Sequence, residues 1–330
     1  MPSQEHPPSY FLILNPGSKG GKSRKKINSI LSAFSSEKVD FGYVYTKSLQ
    51  DAAVLSAEAN RKGYDIIIAV GGDGTINRVL NGFYDTSGKR ISNAVLGLIY
   101  TGTSPDFCKT YNIPLKTGEA VNTVFQKYTR AIPVGKITLC KNERHEYKDF
   151  NFSQVPPDET ETNFFACCVN LGLGPEIARF ANSGVRKYLG DYTGTFFSLI
   201  KALLRYKPTT FNISDDRGER EVTKLVNLSA GLTRYIASGI KVEHDLEEND
   251  DRFYVMSVRD LSWRKLPFVL RTIYSGRKII NNNEISLDYS TSLTVHGNIN
   301  AGIEFDGDPW GFLPCSVELA PDRLEVLCRP

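Results

Sequence analysis

The chain has 330 residues, a length that favours two domains over a single core. Its 40 lysines and arginines face 37 acidic residues, a formal net charge of +3, which gives no field strong enough to attract nucleic acid. The polar N-terminus lacks a secretory signal, and no apolar run reaches the ~18 to 20 residues that cross a bilayer. We therefore expect a cytoplasmic protein without a nucleic-acid partner.

The first third of the chain alternates predicted strands and helices. Strands are expected at Tyr10–Leu14, 43–45, 66–70 and 94–100, and helices around 27–34, over Asp51–Arg61, around 76–83 and over 119–127. In the first and third helices apolar residues recur at i, i+3, i+4 and i+7, the pattern of one buried face. This alternation predicts βαβ units, a parallel sheet, and a ligand site at the carboxyl ends of its strands.

After about residue 131 the pattern changes to short strands separated by turns, which predicts an antiparallel sandwich or barrel. Strands are expected at 137–140, 163–170, 211–214, 222–228, 253–258, 284–288, 292–296, 317–319 and 324–327, with helices at 177–206 and Leu266–Tyr274 and a polar loop at 141–162. The predicted domains are 8–130 and 131–330, and a return of the last strand to the first domain is left open.

Six cysteines show neither a C-x-x-C pair nor the spacing of a metal finger, so reduced and mostly buried thiols are expected. Because the chain has only four histidines, we do not expect a His-rich metal site. The motifs H-E-x-x-H and G-x-S-x-G are absent, which excludes the commonest zinc protease and serine hydrolase classes.

A glycine-rich segment follows the first predicted strand and reads NPGSKGGKS from Asn15 to Ser23. A turn between a strand and a helix presents backbone N–H groups to an anion, and the helix dipole adds to this effect. The segment misses the Walker A spacing by one position, since Pro16 stands where the first glycine is required. An ordinary strand–helix turn is an equal alternative for this segment alone.

The loops after the next two central strands are more specific. Gly71 to Thr75 reads GGDGT and opens a helix, and 102–107 reads GTSPDF. Glycines let a backbone approach a phosphate closely, and a carboxylate suits a metal–nucleotide complex. Because carboxyl ends of parallel strands meet at one edge, these loops with Asp73 and Asp106 predict a polyphosphate and a divalent ion in one cleft.

Together these motifs resemble the diacylglycerol kinase catalytic family, which includes bacterial lipid kinases and the sphingosine and ceramide kinases. The resemblance extends from Tyr10 almost to the C-terminus and includes the DGD sequence of Asp306 to Asp308. The GGDGT core is also similar to that of NAD kinases and phosphofructokinases. The resemblance implies an α/β nucleotide-binding domain, an antiparallel β-sandwich domain, and Mg²⁺-assisted transfer of phosphate from ATP to a lipid hydroxyl in the cleft between them.

The resemblance also implies roles for individual residues. ATP would contact Asn15, Pro16, Gly17, Ser18, Lys19, Thr46, Gly72, Asp73, Gly74, Thr75, Ile76, Asn77, Arg78 and Thr103. A structural Mg²⁺ would bind Asp251, the carbonyl of Phe253 and Glu248. The predicted catalytic carboxylates are Asp73, Asp106 and Asp308, with Asp308 as the general base.

Four residues depart from the family pattern: Arg78 replaces a glutamate, Pro105 an asparagine, Arg252 a glycine and Asp308 a glutamate. These departures keep two alternatives open, a protein that binds nucleotide or lipid without transferring phosphate, and an NAD kinase. A basic and aromatic stretch, 179–207, predicts either peripheral docking on the inner face of an anionic membrane or a helix that caps the sandwich. The identity of the acceptor lipid and the formation of a homodimer are left open.

Overall fold

The computed structural model describes residues 7–18, 23–142, 152–175, 206, 208–236, 240–262, 264–297 and 302–330. Internal contacts divide the chain into a first unit, 1–132 with 321–330, and a second unit, 133–320. None of the helices in the described residues is long and apolar enough to cross a membrane.

The described residues contain eighteen strands and six α-helices. The strands are β1 (Tyr10–Leu14), β2 (Phe41–Tyr45), β3 (Ile66–Gly71), β4 (Val95–Tyr100), β5 (Thr129–Ile132), β6 (Gly135–Cys140), β7 (Thr160–Phe165), β8 (Cys168–Gly172), β9 (Thr209–Asp215), β10 (Gly218–Gly231), β11 (Tyr235–Ile236), β12 (Ile240–Lys241), β13 (Phe253–Arg259), β14 (Ile285–Ser290), β15 (Ser292–Gly297), β16 (Gly302–Phe305), β17 (Asp308–Leu319) and β18 (Leu324–Leu327). The helices are α1 (Arg24–Ser36), α2 (Asp51–Arg61), α3 (Asp73–Asn81), α4 (Asp106–Thr110), α5 (Thr117–Gln126) and α6 (Leu266–Tyr274).

The first unit is built on a six-stranded sheet in the order β2-β1-β3-β4-β18-β5. All neighbouring pairs are parallel except β18 with β5. Apolar residues of α1 and α5 pack on the sheet, while α2 and α3 pack together and against β1 and β3. Strand β3 is therefore covered on both sides, and all six of its residues are buried.

The predicted helical spacing is confirmed in the first unit. In α1 the buried residues are Ile27, Ile30 and Phe34, which lie on one face of the helix. Helix α2 ends at Arg61, and Gly63 follows with a φ of +80°, as expected for a glycine that stops a helix. The structure adds one short helix that was not predicted, α4, directly after Pro105.

The second unit is an antiparallel sheet, as predicted. Its main path runs β14-β13-β10-β8-β16-β17-β15-β9, and β6 joins it through β17 and carries β7. Because β9 also pairs with the long strand β10, the sheet closes on itself around an apolar core.

The predicted strand 163–170 is wrong. The chain bends at Ala166 and Cys167, so that β7 pairs with β6 while β8 pairs with β10 and β16. The bend was not visible in the sequence because the residues on both sides of it are buried and apolar. The predicted strand 317–319 is only the end of β17, and β16 was not predicted.

Two other predictions concern the segments between strands. The predicted helix over 177–206 lies outside the described residues apart from Tyr206, and so does most of the basic stretch 179–207. The expected loop over 141–162 contains two short 3-10 turns, Phe152–Gln154 and Pro157–Glu159, in its described part. Helix α6 has the predicted bounds.

Candidate functional site

Three loops lie at the carboxyl ends of β1, β3 and β4, along one edge of the first sheet. The Asn15 Nδ2 group donates a hydrogen bond to Thr75 Oγ1 at 2.8 Å, which joins the first loop to the second. The Ser18 hydroxyl contacts the third loop through the carbonyl oxygen of Thr101 at 3.2 Å and the Thr101 hydroxyl at 3.1 Å. The structure therefore brings together the three loops that the sequence predicted to converge.

The second and third loops approach so closely that only glycines fit between them. A Cβ atom on Gly102 would lie 2.5 Å from the Cα atom of Gly72 and 2.7 Å from the hydroxyl of Tyr100. A Cβ atom on Gly72 would lie 3.1 Å from the Cα atom of Gly102. This contact leaves bare backbone at the sheet edge, the surface that a phosphate group requires.

Asp73 is the first residue of α3 and follows Gly72, whose backbone is extended. Its Oδ2 atom accepts a hydrogen bond from the Tyr100 hydroxyl at 2.7 Å. Burial and the nearby charge of Asp73 raise the pKa of Tyr100, so the hydroxyl keeps its proton and acts as the donor. The positive end of the α3 dipole favours a carboxylate at this position.

Asp106 begins α4 and is buried with 8% exposure. Its Oδ2 atom accepts a hydrogen bond from Ser104 Oγ at 3.2 Å. Burial raises the pKa of the Cys108 thiol, and the charges of Asp73 and Asp106 raise it further, so both carboxylates lie near one side chain. Asp73 and Asp106 thus place two carboxylates on neighbouring loops, and carboxylate oxygens are ligands that suit Mg²⁺.

In the second unit, Asp306 and Gly307 form the two-residue turn between β16 and β17. Their φ values are +49° and +92°, and Phe305 pairs with Asp308 across the turn, as in a type I′ hairpin. Asp308 is half-buried at the start of β17. The alternative to a catalytic base is a turn at Asp306-Gly307 with a solvated Asp308; the turn is present and Asp308 is half-buried, so its role as the base stays a prediction.

The Asp306 carboxylate has a structural role. It accepts three backbone hydrogen bonds, from the N–H groups of Ala166, Cys167 and Cys168 at 2.9, 2.8 and 3.2 Å. These are the residues at the bend between β7 and β8, so Asp306 fixes the bend and the hairpin turn together. Hydrogen bonds from backbone N–H groups to an ionised carboxylate are charge-assisted and therefore strong.

Sequence comparisons agree with this arrangement. The profile of the diacylglycerol kinase catalytic domain matches residues 9–137, and that of the YegS C-terminal NAD kinase beta sandwich-like domain matches residues 169–328. The chain therefore carries a diacylglycerol kinase catalytic domain followed by a YegS-like C-terminal domain. A diacylglycerol kinase of Staphylococcus haemolyticus is 24% identical over 322 residues, which cover 97% of this chain and 87% of the relative.

Another diacylglycerol kinase, from Bacillus subtilis, is 24% identical over 304 residues, which cover 92% of this chain and 90% of the relative. A crystal structure of a diacylglycerol kinase from Bacillus anthracis aligns with a TM-score of 0.66 over 98% of this chain and 97% of that one. Its sequence identity is 18%, so the likeness shows the shared fold.

The metal turn expected of the diacylglycerol kinase family does not fit a metal in this chain. Arg252, which replaces the family's glycine, donates from Nε and Nη2 to both oxygens of Asp250 at 2.8 Å each. These hydrogen bonds lower the pKa of Asp250. The predicted ligands Asp251 and Glu248 are exposed, and within the described residues no three acidic, histidine or cysteine side chains converge on a metal position. We derive no step through a metal at this turn.

The remaining residues of the family's nucleotide set have different environments. Gly17 and Thr103 are exposed, and Pro16, Gly74 and Arg78 are half-buried. The side chains of Ile76 and Asn77 are buried within the first unit, at 3% and 4% exposure. Thr46 is buried at the end of β2, where its N–H group donates to the carbonyl of Leu14. Lys19 lies outside the described residues.

Sequence reasoning missed two contributors to this family site. Tyr100 pairs in register with Gly71, so its place at the end of β4 was the available signal that it reaches the GGDGT loop. Ser23 is predicted only as part of the glycine-rich segment, but its hydroxyl donates to the carbonyls of Asn15 and Pro16 at 3.2 and 3.0 Å and so ties the start of α1 to the end of β1.

Proposed function

We propose that this protein transfers the terminal phosphate of ATP to a lipid hydroxyl, on a diacylglycerol- or sphingoid-type acceptor. The observation that carries the proposal is the contact between Gly72 and Gly102, because it places bare backbone from two loops beside the carboxylate of Asp73. The names of the relatives support a kinase, and a lipid acceptor follows from those names.

The phosphates of ATP are proposed to lie at the start of α3. The N–H groups of a helix's first turn have no acceptor within the helix, and the helix dipole adds positive potential at that end. Asn15 and Ser18 hold the first loop against the other two, which keeps these donors in place without a rearrangement on binding.

Asp73 and Asp106 would hold Mg²⁺ bound to the nucleotide. When bound, that ion supplies charge neutralisation for the phosphate oxygens. Tyr100 orients Asp73 through its hydrogen bond, and Ser104 orients Asp106. Asp308 is the proposed general base that takes the proton from the acceptor hydroxyl.

The test incubates the purified full chain with labelled ATP and detergent micelles that contain diacylglycerol, sphingosine or ceramide, with NAD in a separate reaction. Transfer to a lipid that is lost in Asp73→Asn and kept in Asp40→Asn supports the proposal, since Asp40 is an exposed aspartate of the same unit. Transfer to NAD alone would assign an NAD kinase instead. ATP binding without transfer to any acceptor would contradict the proposal and favour a protein that binds nucleotide without chemistry.

A further inference from the structure

A buried carboxyl group precedes the Asp306-Gly307-Asp308 turn and has no role in the proposed chemistry. Glu304 lies on β16 and is 6% exposed. Its Oε1 atom accepts a hydrogen bond from the N–H group of Gly307 at 2.6 Å, and its Oε2 atom accepts one from Asn170 Nδ2 at 2.7 Å. Within the described residues, no lysine, arginine or histidine side chain is bonded to this carboxyl group.

The Asn170 amide is the start of a row of hydrogen bonds that crosses three strands. Ser229 Oγ donates to Asn170 Oδ1 at 2.5 Å, and Asn227 Nδ2 donates to Ser229 Oγ at 3.0 Å. The N–H group of Gly174 donates to Asn227 Oδ1 at 2.8 Å. The strand registers agree with this row, because Glu304 pairs with Asn170 and Asn170 pairs with Ser229.

Every donor in the row points towards Glu304. The bond dipoles therefore add, and the positive end of the row faces the carboxyl group. Hydrogen bonds to the charged form of a carboxyl favour that form, so the row supports an ionised Glu304 without a cation beside it. With both oxygens acting as acceptors, the ionised carboxylate satisfies Gly307 and Asn170 at the same time.

Protonation breaks this arrangement. A protonated carboxyl carries a donor, and that donor would face the N–H of Asn170 or of Gly307. The Asn170 side chain could accept the proton only by turning its amide over, and it would then direct its NH₂ group at Ser229 and reverse the row. With the proton on Oε2, Oε1 still accepts from Gly307, but this hydrogen bond is no longer charge-assisted, so the contact of Glu304 with Gly307 weakens on protonation.

We propose that Glu304 is a positioning residue: its ionised carboxylate holds Gly307, and through the turn holds Asp308 in place, and its protonation weakens that hold. For catalysis this inference rests on the proposed function, since Asp308 is the base of that reaction. The geometry makes the Asp306-Gly307-Asp308 turn a pH-sensitive part of the second unit.

The electrostatic surroundings put the transition near neutral pH. Burial raises the pKa of Glu304 to about 7, with the charges of Asp306 and Asp308 raising it and the bonds from Asn170 and Gly307 lowering it. Within the described part of the chain, β8 adds the thiol of Cys168, which contacts Asn170 Nδ2 at 3.4 Å. Next to the row, β10 presents the neutral Ser229 and Asn227, and β13 presents Met256.

The first test is NMR of the full chain, which follows the Gly307 amide and the Glu304 side-chain carbon across about pH 5 to 9. Both signals are expected to titrate together near neutral pH in the parent and in Glu219→Gln, the control at an exposed glutamate of the same unit. In Ser229→Ala the midpoint is expected to move to higher pH, because the row loses one donor. In Glu304→Gln the Gly307 amide is expected to lose this titration.

The second test is the pH profile of phosphoryl transfer. The parent and Glu219→Gln should gain kcat as pH rises through the Glu304 midpoint. Glu304→Gln should lose that rise and about tenfold of kcat at high pH, the change expected when one charge-assisted hydrogen bond to a positioning group is lost, with KM for ATP unchanged.

A Gly307 amide that stays flat in the parent, or that titrates unchanged in Glu304→Gln, overturns the inference whatever the activity. If the Gly307 amide titrates but the protein transfers no phosphate, the proposed function alone is refuted. The coupling of Glu304 to the turn is then still established. If Glu304→Gln does not fold, the conservative Ser229→Ala decides, and an unmoved midpoint in that variant overturns the inference.

Discussion

The hydroxyl of Tyr100 donates a hydrogen bond to Asp73 Oδ2 at 2.7 Å, and so links the end of β4 to the first residue of α3. The same hydroxyl would lie 2.7 Å from a Cβ atom on Gly102. One tyrosine therefore orients the loop carboxylate and also packs beneath the third loop.

Tyr100→Phe should lower kcat about tenfold, because it removes the group that orients Asp73 while it keeps the ring packing. Stability should fall by only about 1 kcal/mol, the contribution of one hydrogen bond. Steady-state transfer kinetics and thermal unfolding measure the two effects. Tyr43→Phe, at a tyrosine that is 51% exposed on β2, is the matched control. Equal kcat in the two variants would show that Asp73 needs no orientation from Tyr100.

Gly102→Ala should abolish ATP binding or weaken it by more than about tenfold, because the new methyl group overlaps the backbone of Gly72. Gly118→Ala is the control, because Gly118 lies in helix α5 and a Cβ atom there would have no neighbour within 4 Å. Alanine in a helix should stabilise that variant by about 0.5 to 1 kcal/mol. Isothermal titration with an ATP analogue gives both affinities. Parent-like affinity in Gly102→Ala would place the nucleotide away from these loops.

Asp308→Ala should lose most of kcat with little change in nucleotide affinity, while Asp308→Glu should keep or gain activity. A glutamate restores the longer side chain of the family, whose carboxylate reaches about 1.5 Å further. Transfer kinetics on both variants, with ATP affinity measured separately, decide between a base and a turn residue. If the alanine variant is as fast as the parent, Asp308 is not the general base, and Asp106 or Asp73 takes that role.

Asp215→Asn should destabilise the second unit at neutral pH and much less in acid. Although burial opposes the effect, hydrogen bonds from Arg220 and Arg217 lower the pKa of Asp215. A lowered folded-state pKa means that the stabilisation is present above the unfolded pKa of about 4 and is lost as pH falls through the folded value. We expect a loss of about 2 kcal/mol at pH 7, below that of a fully buried pair because both arginines are partly exposed.

Urea unfolding at several pH values measures this difference. The neighbouring variant Asp216→Ala is unsuitable as a control, because Asp216 accepts a hydrogen bond from the N–H group of Thr291. Asp158→Asn serves instead, at an exposed aspartate whose backbone carbonyl accepts a hydrogen bond from Lys141 and whose side chain has no hydrogen bond to the described residues. A stability difference between Asp215→Asn and the parent that stays constant from neutral pH into acid would show that the carboxylate charge contributes nothing.

The first unit was largely predictable because its strands and helices follow simple periodicities. Ile66 to Val70 is a continuous apolar run, and the structure buries it on both sides, as such runs require. The GGDGT loop was also recognisable, since the glycines at 71, 72 and 74 around Asp73 suit close backbone approach better than an ordinary turn. The role of Tyr100 was missed, because a tyrosine at the end of a buried strand has the pattern of a core residue and only its position at the carboxyl end of β4 indicates more.

The second unit was less predictable because its contacts join residues far apart in sequence. The bend between β7 and β8 is fixed by the carboxylate of Asp306, about 140 residues later, and no local pattern marks it. The Asp306-Gly307 pair is itself a hairpin signal, but the short strand before it contains Glu304, a residue that is rare inside a buried strand. The metal site at this turn was predicted from the resemblance alone. In the structure, the positive charge beside Asp250 is the guanidinium group of Arg252.

The last strand, β18, lies between β4 and β5 in the first sheet, although the whole second unit separates it from them in sequence. During synthesis, β4 leaves the ribosome with an unpaired edge, and more than two hundred further residues are made before its neighbour emerges. A fragment that stops before Pro321 would carry every loop of the proposed nucleotide site and still expose that edge to other chains. Isolating the N-terminal domain by truncation at its apparent boundary should therefore yield an aggregating protein, whereas a version with 321–330 joined directly to residue 132 closes the sheet.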